Sequence, residues 1–402
     1  MNRLLRISFN TLLNSLLPVV MWILLSYIVS KDIARIFSIT YSFQFIFSLI
    51  VAIFGTGPNV TAQKHNNKEI IDSNIILGMI VTLVLVIIFS VNVDAYLRFM
   101  NLNPNIYRAY TIYSILLMFL QVIIRMINEK LYFQNENKKA NRLTIVFNII
   151  NILLIISLSM FIVNKVTAIC LTIALDTIII IYIMIKNIEA LSWEFCIKEN
   201  VKYVSGEIYD SLWMFVIYFV GDRMLYGFGE AFIVADNFSG LISDAQWDMS
   251  YAIITAATID ASKDKLHFKS NLKNAFKLVA MLMGSSLIMG ALLYHLYKPE
   301  LWILAIMFGV QIINMFVCPR IWLRNHYIQI NYSHKKVSFH MNVYQLIRVV
   351  FSFVPTPFCT YLGQFIAMLY DIAVYDIYYN KKFYIDNNGY LKMKKVEEIT
   401  NN

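Results

Sequence analysis

Apolar residues run along this chain in long unbroken stretches, and polar residues gather in short clusters between them. The stretch "IILGMIVTLVLVIIFSV" starts at Ile75, and "IALDTIIIIYIMI" starts at Ile173. A helix of a soluble protein keeps a polar face for water, and these segments have none to offer. About 20 such residues cross a bilayer as a helix. Membrane β-strands alternate in polarity over short segments, so a barrel does not fit either. The pattern predicts twelve spans, near 9–30, 34–57, 72–93, 106–128, 143–163, 166–186, 206–228, 230–258, 274–296, 299–322, 339–356 and 358–379. The linker from Lys186 to Ser205, which contains "NIEALSWEFCIKENVKY", divides them into six and six. The expected organisation is an N-terminal six-helix lobe over 1–190, a cytoplasmic linker over 191–205, a C-terminal six-helix lobe over 206–380 and a cytoplasmic tail over 381–402.

The polar clusters carry a second pattern. "YFQNENKKANR" begins at Tyr132 and "YIQINYSHKKVS" at Tyr327. Lys139 and Lys336 lie 197 positions apart, and the same offset maps "TAQKHNNKE" at Thr61 onto "TIDASKDK" at Thr258. Two loops sharing one offset point to an internal duplication. Two halves of six spans in the same orientation form a parallel repeat.

Lys and Arg in the loops set the orientation. With the N-terminus cytoplasmic, the inner side collects Lys64, Lys68, Lys130, Lys138, Lys139, Arg142, Lys186, Lys198, Lys202, Lys263, Lys265, Lys269, Lys273, Arg320, Arg324, Lys335, Lys336 and the tail from Lys381. The outer side keeps Lys31, Arg35, Arg98, Arg108, Lys165, Arg223 and Lys298. Both termini are therefore expected inside. The net charge of +9 is this topology signal, and no nucleic-acid partner is needed to account for it.

Composition agrees with the pattern. The chain is 59% hydrophobic and 15% charged, against about 25% charged in soluble domains. Arg3 and Arg6 precede an apolar stretch too long for a signal peptide and without a small-x-small cleavage site, so this stretch reads as the first span. Pro18 is expected to bend it. Cys170, Cys196, Cys318 and Cys359 are scattered without CxxC spacing, which predicts neither a disulfide framework nor a metal site. No phosphate-binding Gly-x4-Gly-Lys-Ser/Thr motif occurs. ATP is therefore not the expected energy source, and no cofactor and no enzyme activity are expected.

Two segments carry a resemblance. "FSITYSFQFIFSLIVAIFGTGPNVTAQKHNNKE" closes its span with Gly55 and Gly57 before a polar loop, and "GFGEAFIVADNFSGLISDAQWDMSYAIITAATIDASKD" occupies the matching place in the second half. Both resemble the second and eighth helices of multidrug and toxin extrusion (MATE) proteins. "FQNENKKANRLTIVFNIIN" is similar to the loop and fifth helix of the same superfamily, the multidrug/oligosaccharidyl-lipid/polysaccharide (MOP) exporters. The resemblance covers most of the chain and implies an all-α polytopic fold in two lobes. It also implies export by alternating access. Members of the superfamily expel organic cations against protons or sodium, or flip lipid-linked sugars.

The intramembrane charges bear on that choice, because each is costly in lipid and marks function. In span eight, Asp236, Gly240, Asp244 and Asp248 recur every four residues beside Asn237 and Gln246. They share a slowly drifting face. By the repeat offset, Asp236, Asp244 and Asp248 fall on Ile39, Phe47 and Val51, so the cation site is expected in the second lobe only. The resemblance assigns a cation-binding role in span seven to Asp210. Asp176 and Asp371, near the middle of spans six and twelve, are expected in structural ion pairs with Arg125 and Arg348, with a relay role as the alternative. The reading is a monomeric exporter in a bacterial cytoplasmic membrane. It couples efflux of organic cations or amphipathic compounds to H+ or Na+. A flippase for lipid-linked oligosaccharide, which would want cationic residues in its cleft, and a non-transporting membrane scaffold are the alternatives.

Overall fold

The computed structural model describes residues 17, 20–25, 27–29, 34–189, 191–225, 227–229, 231–236, 238–240, 267–277, 280, 294, 298–332 and 334–394. The described residues are helical almost throughout. α1 (Ala34–Val51) passes through a π-helical turn, Ala52–Thr56, into α2 (Gly57–His65). There follow α3 (Glu69–Val91), α4 (Val93–Phe99), α5 (Pro104–Phe133), α6 (Asn137–Phe161), α7 (Lys165–Asn187), α8 (Ile197–Tyr203) and α9 (Ser205–Leu225). Beyond them lie α10 (Leu301–Asn331), α11 (His334–Ser352), α12 (Cys359–Tyr370), a second π-helical turn (Asp371–Asp376) and α13 (Ile377–Lys382). A two-stranded antiparallel hairpin, β1 (Phe383–Ile385) with β2 (Leu391–Met393), closes the described chain. Six of the described helices are long and apolar enough to cross a membrane: Thr40–His65, Glu69–Val91, Pro104–Phe133, Asn137–Phe161, Lys165–Asn187 and Leu301–Ile330. Predicted spans one, eight and nine, with Pro18, fall largely outside the described residues.

Asparagines punctuate the helices. Asn66, Asn101 and Asn135 take the left-handed conformation at helix ends, which Asn tolerates better than most residues. Asn103 and Asn164 cap α5 and α7 by accepting from backbone N–H groups of the first turn. The helices also run further than apolar length alone predicts. Gly55 and Gly57 were expected to end span two, yet the helix continues to His65. The wide π-turn, with Gly57 N–H donating to Ala52 O, comes just before Pro58, and Pro at a first helical turn breaks no bond. Likewise Tyr132 lies inside α5, and Tyr327 to Asn331 lie inside α10. The two polar clusters are thus helix ends with tight turns, and Lys130, expected in a loop, belongs to a helix. The helices after these turns start at Asn137 and His334, the repeat offset of 197 apart.

The chain forms two compact units, one within Phe9–Gly227 and one within Phe228–Asn402. In the first, α5 is central. One of its core clusters joins Met21, Trp22, Leu97, Tyr113 and Ile155, and another joins Phe47, Phe54, Ile75, Ile115 and Met126. Gly78 lets α3 approach closely, since a Cβ there would lie 2.6 Å from Phe54 Cβ and 2.8 Å from Met126 Sδ. α9 packs along α1 in this unit. In the second unit α10, α11 and α12 pack together.

Candidate functional site

Two helix stripes build an enclosed polar site in the first unit. The buried face of α6 carries Thr144, Asn148, Asn151, Ile155 and Ser159, and that of α7 carries Ala168, Thr172, Asp176 and Ile180. Both follow the spacing of three and four that keeps residues on one helix face. Asn151 Nδ2 donates to Asp176 Oδ2 and lies 3.4 Å from Tyr113 Oη on α5. Tyr113 in turn donates to Met21 Sδ at 3.5 Å, with Trp22 packed edge-to-face on its ring. Asp176 is 1% exposed and Asn151 2%. Among the described residues, Asp176 Oδ1 has no hydrogen-bond partner. A carboxylate enclosed in this way, with one neutral amide as its partner, leaves Oδ1 open to a proton or a small cation.

The expected ion pair of Asp176 with Arg125 is not among the salt bridges of the described residues. The reason is helix rise. Tyr113 is the α5 residue at the level of Asp176, and Arg125, twelve positions further on, lies about 18 Å along the axis. Asn151, which does hold Asp176, was passed over because a neutral amide in an apolar run raises no flag. Arg348 is buried on α11, donates to Gln345 Oε1 at 3.3 Å and lies over the Tyr344 ring. Asp371 opens the second π-turn.

In the second unit, Tyr361 Oη donates to Asp236 Oδ1 at 2.8 Å. One turn along α12, Gln364 donates to Gln311 Oε1 of α10 at 3.2 Å. Asp236 is thus the described member of the acid ladder, while Asn237, Asp244, Gln246 and Asp248 lie outside the described residues. Asp210 belongs to the first unit, half-buried on α9. Two turns further along α9, Tyr218 stacks on Phe45 at 5.1 Å and meets Tyr41 edge-to-face at 5.3 Å. All three rings are half-exposed.

Sequence reasoning missed two charge clusters, because Lys130 and Arg324 lie at helix ends that were taken for loops. Lys130 Nζ is 2.8 Å from Asp72 Oδ1, with both side chains under 5% exposed. It also donates to Asn187 O at 2.5 Å, while Asp72 Oδ2 accepts from Glu189 N. In the second unit, Asp376 lies between Arg324, at 2.6 Å, and Arg320, at 3.1 Å. The linker is fixed as firmly. Asn200 accepts from Thr61 and donates to Asn74 Oδ1 and Phe195 O, and Glu199 accepts from Tyr203 and pairs with His65. Burial alone pushes the Glu199 carboxyl up. The hydrogen bonds from Tyr203 and His65, and the charges of His65 and Lys202, outweigh it and hold Glu199 below the ordinary glutamate range.

Solved structures share this architecture. An outward-facing multidrug resistance MATE family transporter of the MOP superfamily superposes with a TM-score of 0.69 at 14% identity, over 93% of this chain and 94% of that one. A MATE in its bent conformation gives 0.66 at 14% identity, over 94% and 95%. A MATE in complex with MaD5 gives 0.64 at 15% identity, over 94% of each chain. No family model and no curated protein matches the sequence. The chain therefore has the MATE fold, that of an all-α polytopic membrane protein.

Proposed function

We propose that this chain is a secondary active exporter working by alternating access, in which Asp176 holds a coupling proton or sodium ion while organic cations or amphipathic compounds are expelled. The observation that carries the reading is the open Oδ1 of Asp176, enclosed by α5, α6, α7 and residues 20–25, with no salt bridge to it among the described residues. The remaining features support it. The fold is shared with MATE transporters. Asp236, with Asp244 and Asp248 further along the same predicted span, supplies a second carboxylate group. Asp210 and the Tyr41–Phe45–Tyr218 rings offer the negative charge and aromatic faces that a cationic cargo prefers. Loop charge supports a cytoplasmic membrane with both termini inside. No enzymatic step is part of the reading.

The test is transport by the purified chain in proteoliposomes. An imposed proton or sodium gradient is expected to drive ethidium across the bilayer faster than in protein-free vesicles. Movement that ignores both gradients would overturn the coupling.

A further inference from the structure

The end of the described chain does something that neither span nor transport site requires. α13 stops at Lys382 and the chain turns at once into the hairpin, with Phe383 paired to Met393, Tyr384 to Lys392 and Ile385 to Leu391. The hairpin is built, not frayed. Asp386 accepts from the Tyr390 backbone N–H through Oδ1 at 2.8 Å and pairs with Lys392 at 3.1 Å. Gly389 supplies the positive φ of 85°, and a Cβ there would lie 2.5 Å from His267 Cε1. Gly389 O accepts from Lys269 N, and the Tyr390 ring meets His267 at 5.0 Å. Phe383 and Leu391 are buried, with Phe383 against Tyr332 and Tyr379.

That anchoring places the hairpin at the level of the α10–α11 turn, directly after α13. Its outward residues are not those of a strand facing bulk water. Tyr384, Ile385 and Met393 are each more than two-fifths exposed, and Tyr390 is exposed beside them. Four lysines (Lys381, Lys382, Lys392 and Lys394) surround them against one aspartate, and that aspartate is engaged in the turn. The Tyr390 backbone hydrogen bond and Lys392 hold the Asp386 carboxyl below the usual aspartate range, and Asp386 in turn holds Lys392 above its own, so these two charges offset each other and the other three lysines carry the positive excess. Exposed tyrosines among lysines suit the headgroup layer, where the rings sit amphipathically and the lysines meet anionic lipid.

We infer that the hairpin Phe383–Met393 is a bilayer-surface anchor that lies on the leaflet beside α13 and takes anionic lipid headgroups. It fixes the end of the second unit to the membrane, and it does so whatever the protein carries. The experiment is hydrogen exchange on the full chain in nanodiscs, either of phosphatidylcholine alone or with about one-third phosphatidylglycerol. Backbone amides of 383–394 are expected to exchange several-fold more slowly in the anionic discs, with α5 and α6 unchanged, and salt should erase the difference. The variant carrying Lys381→Gln and Lys382→Gln leaves the Asp386–Lys392 turn intact and should lose about half of the effect. Adding Lys392→Gln and Lys394→Gln should remove the rest. Equal exchange in the two lipids would overturn the proposal, as would slowing in neutral discs that appears only when soluble cell extract is added, since that would make the partner a protein.

Discussion

Two aspartates of the first unit are buried to almost the same degree and treated in opposite ways. Asp72, on the first turn of α3, is given a cation of the protein's own: Lys130 at 2.8 Å, which also reaches the Asn187 carbonyl. Asp176, on α7, is given only the amide of Asn151, and its second oxygen is left open among the described residues. Burying an ion is costly, and a fixed countercharge offsets that cost at the price of immobility. Asp72 and Lys130 therefore belong to architecture. They tie α3 and α5 to the end of α7 and to the start of the linker. Among the described residues Asp176 has no salt bridge, and a site for a mobile cation requires a carboxylate without a fixed countercharge.

The largest expected effect strikes the structural pair. Lys130→Met leaves Asp72 buried without its cation and should cost about 3–5 kcal/mol, read by denaturant or thermal unfolding in detergent. Adding Asp72→Asn should recover part of the loss. A cost near zero would mean that the two aspartates do not differ as described. The second unit provides a graded control. Arg324 is buried beside Asp376, whereas the Arg320 side chain is half-exposed. Arg324→Met should cost less than Lys130→Met, about 1–3 kcal/mol, because Arg320 still reaches Asp376. Arg320→Ala should cost about 0–1 kcal/mol. Reversal of that order would break the link between enclosure and cost.

A smaller effect belongs to the linker. The Glu199 carboxyl is held below its ordinary 4.5 in the folded chain, so its contribution is fully present above that value and is lost as pH falls through the lowered one. Limited proteolysis between Leu191 and Val204 should therefore be slow at neutral pH and speed up only in acid below about pH 4.5. Glu199→Gln should show the faster cutting already at neutral pH. Cutting that is independent of both pH and residue 199 would show that the Thr61–Asn200–Asn74 bonds hold the linker alone.

Much of this arrangement was legible beforehand. Unbroken apolar runs gave the helices, and α6 and α11 start 197 residues apart, the repeat offset, although both start earlier than the expected 143 and 339. Asp176 stood out as a lone charge in "IALDTIIIIYIMI". Its partner did not, because pairing it with the nearest opposite charge ignores the rise along α5 that separates Arg125 from Tyr113. The Asp72–Lys130 pair was invisible for a related reason. Polar residues at helix ends read as loops when apolar length sets the boundary, yet here they satisfy one another and let the helices extend.

The central claim is that Asp176 binds the exchangeable cation and Asp72 does not. Coupled binding is reciprocal, so a cationic cargo that competes for this site must displace what the carboxylate holds. Purified protein in weak buffer, titrated with tetraphenylphosphonium, should release about one proton or sodium ion per chain as the ligand saturates. Asp176→Asn keeps an acceptor for Asn151, so the chain should stay folded while that release disappears. Release from Asp176→Asn equal to that from the wild type, with the variant folded and binding the ligand, would contradict the account.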